Sequence, residues 1–147
     1  MRLIDAAKGK SVPHRGVFIY RINPDTHRPI AEQGMPLRGT TDDDGKVSFP
    51  DGKLLPKPSE DQSSNGGNTG GALSRQRLSK FVDLQIIYAG GGIQCSSGLF
   101  SLDDILVSGA VGENRCNQKF DPAKFKSTPG EVIIFVRKYH WWEGVQT

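Results

Sequence analysis

Two kinds of apolar pattern run along this chain, and both predict strands. Val82, Leu84, Ile86 and Tyr88 alternate with Asp83 and Gln85, the period-two spacing of a strand with one buried face. Glu131-Val132-Ile133-Ile134-Phe135-Val136-Arg137 is instead a continuous apolar run, which predicts a central strand covered on both faces. Gly16-Val17-Phe18-Ile19-Tyr20-Arg21-Ile22 is dense in β-branched and aromatic residues. Pro13 precedes it and Asn23-Pro24-Asp25 follows, so it predicts a third strand. Leu3-Ile4 predicts a short strand running into a turn at Gly9, and Leu37 to Thr41 an edge strand. Asp42-Asp43-Asp44-Gly45 ahead of Lys46-Val47-Ser48-Phe49 predicts a hairpin with a tight primed turn, Val47 and Phe49 sharing one face.

The interruptions are equally legible. Ser101 stands where a helix N-cap would, with Asp104 three residues on and Gly109 as a stop, predicting one or two helical turns from Leu102 to Val107. Gly90-Gly91-Gly92 reads as a strand terminator. Residues 56–71 lack any large apolar side chain, so burial cannot offset their ordering entropy, and a long flexible polar loop is expected there. No internal repeat is present. The pattern describes one mainly β domain over residues 1–147, with six to eight short strands and one short helix.

Two stretches near the start carry a family likeness. Leu3-Ile4-Asp5 leads through Lys8-Gly9-Lys10-Ser11-Val12-Pro13 to Gly16-Val17, and Gly39-Thr40-Thr41-Asp42-Asp43-Asp44-Gly45-Lys46-Val47-Ser48-Phe49 forms the second stretch. In these the chain resembles the carboxypeptidase regulatory-like, or transthyretin-like, β-sandwich family, which is similar to the collagen-adhesin B-type repeats. The likeness is confined mainly to residues 1–50. It implies a seven-stranded Greek-key β-sandwich of the prealbumin-like, broadly immunoglobulin-like kind, commonly an accessory domain of secreted or surface proteins. A fold of this kind hosts many roles, so the likeness speaks to scaffold before function.

Composition sharpens the picture in a few places. At 147 residues the chain is long enough to bury a genuine core, and 18 Gly with 9 Pro favour turns and short strands over a helical bundle. Net charge is only +3, and the 19 Lys and Arg are scattered from Arg2 to Lys138, so no nucleic-acid partner is expected. No apolar run is long enough to span a bilayer, and no transmembrane segment is expected. A charged-then-apolar leader is also missing ahead of Leu3; the expected address is secreted or cell surface with the leader outside this chain, and a cytoplasmic address stays open.

Candidate chemistry is sparse. Counted as a calcium loop from Asp42, the twelfth position is Lys53, which cannot ligate, so the acidic triplet reads as a turn. His14, His27 and His140 have no ligand-pair spacing, and neither metal nor cofactor is expected. Cys95 and Cys116 flank the short helix in loops rich in Gly and Asn. That exposed setting favours a disulfide, hence an oxidising compartment, over two reduced surface thiols or a lone nucleophile. Tyr139-His140-Trp141-Trp142, beside Arg137 and Lys138, is the candidate binding surface. Two roles stand open for the Trp pair: capping one end of the sandwich, or contacting a partner. The expected function is a non-catalytic accessory or protein-interaction module. The alternative is a carbohydrate- or surface-binding module using the C-terminal aromatic residues.

Overall fold

A computed structural model describes residues 1–30, 36–49, 82–117 and 120–139. It is mainly β, with two sheets and one α-helix among the described residues. The strands are β1 (Arg2–Asp5), β2 (Gly16–Ile22), β3 (Leu37–Thr40), β4 (Asp83–Tyr88), β5 (Gly92–Gln94), β6 (Leu99–Ser101), β7 (Ala110–Val111) and β8 (Val132–Lys138). Helix α1 (Leu102–Ser108) follows β6, and a 3-10 turn covers Pro122–Lys124. The predicted loop at residues 56–71 lies outside the described residues.

Strand β8 organises the first sheet. One edge pairs in parallel with β1, Leu3 opposite Ile134 and Asp5 opposite Val136. The other edge is shared by two short strands: β7 runs parallel at Val132–Ile133, and β5 runs antiparallel at Val136–Lys138. The second sheet is antiparallel in the order β3-β2-β4-β6.

The continuous apolar run of β8 is explained by two cores. Val132, Ile134 and Val136 face the second sheet and pack with Leu3, Val17, Ile19, Leu84 and Ile86. Ile133 and Phe135 face the opposite way and pack with Ile4, Ala6 and Cys95, covered by Val111, Cys116, Phe120 and Phe125. Phe120, Phe125 and Phe135 form a three-ring cluster, with Phe125 and Phe135 edge to face at 5.4 Å between centroids. The result is three layers: sheet, sheet, and an irregular cover held over the outer face.

A single hydroxyl bridges the break between β5 and β7. Cys95 N–H donates to Phe135 C=O and Gly112 N–H to Ile133 C=O, which leaves the Phe135 N–H between two strands. Ser96 Oγ accepts that N–H at 3.0 Å and donates to Glu113 C=O at 2.8 Å. Ser96 is only 6% exposed, so neither group has water as a substitute.

Helix α1 matches its sequence signals. Ser101 Oγ accepts from Asp104 N–H, Gly109 caps the far end at φ 75°, and Leu102 and Ile105 are buried in the core between the sheets. Leu84 and Ile86 are buried while Gln85 and Ile87 are exposed, as the alternation of β4 requires.

The predicted hairpin is corrected in kind. Gly45 N–H bonds Asp42 C=O and Asp42 N–H bonds Lys46 C=O, closing a three-residue loop in which only Gly45 has positive φ. That is a type I turn with a glycine bulge, not a two-residue primed turn. Its outgoing arm does not return along β3 either. Leu3 N–H donates to Gly45 C=O, and Val47 N–H to Met1 C=O, so the arm crosses to the free edge of β1. A side chain at Gly45 would sit 2.8 Å from the Val12 nitrogen, which leaves no room for one. Gly90-Gly91-Gly92 is also more than a terminator, because β5 starts at Gly92; β5, β6 and β7 are too short to show a period in sequence.

Removing the Ser96 hydroxyl should therefore be costly for a single atom. Ser96→Ala is expected to lower stability by about 1–3 kcal/mol, since two buried backbone groups lose their partner. In urea titrations the midpoint should fall with an unchanged slope; a shift worth under about 0.5 kcal/mol would reject the bridging role.

Candidate ligand-binding cleft

Parallel strands end on the same side of a sheet, so whatever follows β1 lies beside whatever ends β8. Here that rule brings two basic pairs together. Lys8 and Lys10 leave β1 through the turn after Asp5, and Arg137 and Lys138 finish β8. Between them opens a cleft of about 820 Å³, with Arg15 and His14 on the wall formed by the β1–β2 connection and Tyr88 and Tyr139 also lining it.

The walls are tied down by backbone hydrogen bonds. Asp5 Oδ1 accepts from Ala7 N–H at 2.9 Å and Lys8 N–H at 2.8 Å, which fixes the turn carrying the lysines. Thr41, 2% exposed, donates its hydroxyl to Val12 C=O and accepts from Arg15 N–H, both at 3.0 Å. It thereby clips the β1–β2 connection to the end of β3. Arg15 Nη1 donates to Gly90 C=O, as does the Tyr88 hydroxyl, each at 3.2 Å. At the same end of β4, the Gln94 side chain accepts from Tyr88 N–H and donates to Ile86 C=O, joining one sheet to the other.

Electrostatically the cleft is one-sided. Among the described residues, five cations and one carboxylate, Asp5, line it. Among the described residues Lys8, Lys10 and Lys138 make no ion pair, and all three are exposed. His14 holds a left-handed φ of 54° and contacts Asp43 of the acidic triplet at 2.8 Å. Asp42 Oδ1 accepts from Asp44 N–H and Lys46 N–H, both at 2.9 Å, so its carboxylate closes the turn. Burial pushes the Tyr88 phenol above its ordinary pKa, and the Arg15 charge opposes part of that rise.

Of the residues picked out in sequence, Tyr139 is 58% exposed and lines the cleft. His140, Trp141 and Trp142 lie outside the described residues. Cys95 and Cys116 are joined by a disulfide across 5.3 Å between Cα atoms, so neither is a nucleophilic thiol. Their expected exposed setting is corrected: Cys95 is 2% exposed, in the outer core with Phe135, because β5 delivers it onto the covered face of the first sheet. The bridge fastens the cover to that sheet. Among the described residues no helix is long and apolar enough to cross a membrane.

The cationic convergence was not visible in the charge pattern, which spreads these residues from Lys8 to Lys138. The available signal was positional: a basic pair just past one apolar strand and another at the end of a second. It becomes a cluster only when those strands pair in parallel. No family model matches the chain, nor does any curated protein or solved structure.

Two outcomes follow. Replacing both cysteines by Ala should lower stability by about 3 kcal/mol, the chain-entropy value for closing a loop between ends 21 residues apart. Alkylating the unfolded, unreduced protein should add no mass, and two modified thiols would refute the bridge. Separately, the raised Tyr88 pKa means its share of stability is complete below the unfolded value near 10 and is lost as pH rises through the folded value. Wild type should therefore lose stability more steeply above pH 10 than Tyr88→Phe, and parallel pH curves for the two would contradict this.

Proposed function

We propose that the chain is a non-catalytic β-sandwich module of a secreted or surface-associated protein, and that it works by holding a ligand or partner. The observation that carries this reading is the cleft at the shared ends of β1 and β8, a preformed concavity on a tied-down scaffold. Its two sheets and short helix support assignment to the seven-stranded Greek-key class that the first fifty residues resemble, the carboxypeptidase regulatory-like or transthyretin-like sandwich. The Cys95–Cys116 bridge supports an oxidising address.

A second reading has its own observation. Tyr139 stands exposed on the cleft, at the head of the Tyr139-His140-Trp141-Trp142 run, which favours a carbohydrate- or surface-binding module using these aromatics.

An array of neutral and charged glycans, with a parallel vesicle-binding assay, tests both. Wild type should bind at least one class and release it chemically unchanged. Turnover that disappears on mutating a cleft residue would overturn the non-catalytic reading. Tyr139→Ala combined with Trp141→Ala and Trp142→Ala should weaken binding at least about tenfold, a loss of about 1.4 kcal/mol. Undiminished binding by this triple variant would eliminate the aromatic reading.

A further inference from the structure

We propose that the cleft takes an anionic saccharide, with Lys8, Lys10, Arg15, Arg137 and Lys138 holding its carboxylate or sulfate groups and Tyr139 lying against a sugar face. This rests on the binding-module reading and gives its ligand a chemical class.

The charge balance makes the first case. The whole chain carries a net charge of only +3, yet among the described residues this concavity is lined by five cations and one carboxylate, with Asp43 beside its wall at His14. Asp5 keeps its charge while one oxygen accepts from the Ala7 and Lys8 N–H groups, so it offsets one of these charges, and among the described residues Lys8, Lys10 and Lys138 form no ion pair. Cations crowded in a concave, partly desolvated surface focus a positive potential that draws anions in. Holding them together also costs free energy through mutual repulsion, which a bound anion relieves.

Geometry selects among anions. Arg15 is held from both sides, by Thr41 at its backbone and by Gly90 C=O at its guanidinium, so it presents a fixed planar donor set. A planar guanidinium fork suits carboxylate and sulfate oxygens, and the flexible lysines supply point charge around it. The 820 Å³ volume falls in the range of sites for small ligands and short oligomers. A nucleic acid would instead be tracked along an extended basic face, whereas these five cations line one cleft. Tyr139, largely exposed at that cleft, offers an amphipathic ring of the kind that packs on the apolar face of a pyranose. An oxidising compartment, which the disulfide favours, is also where carboxylated and sulfated glycans are met.

The test is direct binding to the intact chain by calorimetry, with three probes: a sulfated, uronate-containing hexasaccharide, a neutral N-acetylglucosamine hexasaccharide and a single-stranded oligonucleotide of matched charge. The sulfated probe should bind, and should bind less tightly as NaCl rises from about 0.05 to about 0.3 M. Lys8→Gln with Lys10→Gln and Lys138→Gln should weaken it about thirtyfold, since these side chains are exposed and the fold should survive. Tyr139→Ala should weaken it about fivefold, and Arg28→Gln, exposed past the end of β2 opposite Arg15, should leave it unchanged. Melting curves on each variant separate lost binding from lost folding.

Equal binding of the oligonucleotide, with Tyr139→Ala silent, would overturn the saccharide assignment. Tight binding of the neutral hexasaccharide that ignores the lysine variants would overturn the anionic ligand and leave the binding module standing. Failure of the sulfated probe to bind would overturn this inference alone, because the module reading is answered by the wider array. Cleavage of the probe would overturn the module reading instead.

Discussion

Burial of β8 on both faces is the constraint on which the other elements depend. Five consecutive residues, Val132 to Val136, are buried, so apolar material is needed above and below one strand. The second sheet supplies one side. The other is supplied by chain with little regular structure, and such a layer has few backbone hydrogen bonds of its own to hold it in place. The Cys95–Cys116 bridge, the Phe120–Phe125–Phe135 cluster and the buried Asn114 side chain, which donates to Ala6 C=O, supply that attachment.

The same strand sets the position of the cleft. Because β1 lies parallel to β8, their ends converge, and the residues leaving β1 face those finishing β8. Side-chain clips then substitute for ladder hydrogen bonds where strands are too short or stop. Ser96 spans the gap between β5 and β7, Gln94 links the two sheets, and Thr41 pins the wall that carries Arg15. Stability and the candidate site thus share parts. Arg15 rides on the connection that Thr41 holds, and Arg137 and Lys138 finish the strand that Ser96 bridges.

The proposed ligand recognition is chiefly electrostatic and sensitive to ionic strength, with an aromatic contact adding selectivity. The His14–Asp43 contact connects the cleft wall to the acidic turn, placing a carboxylate near the cationic region at an exposed position. The residues of this turn therefore act first on the scaffold: Gly45 makes the bend, Asp42 closes it, and Thr41 positions the wall.

The long signals were legible in the chain. Period-two alternation announced β4, the apolar run announced β8 and its double coverage, and Ser101, Asp104 and Gly109 marked α1, because each follows from neighbours a few residues apart. The strands of two or three residues were not legible, since they exist only as partners of β8 or β4 and show no period of their own. The turn at Gly45 was visible, but where its outgoing arm went was decided by the free edge of β1. The cysteines were visible as a pair, while their burial depended on which face of the first sheet β5 presents to Phe135. For the cleft, sequence determined that the basic residues are many and dispersed. Only the parallel pairing of β1 with β8 brought Lys8, Lys10, Arg137 and Lys138 to one place, because strand direction is a property of the pair and not of either strand alone.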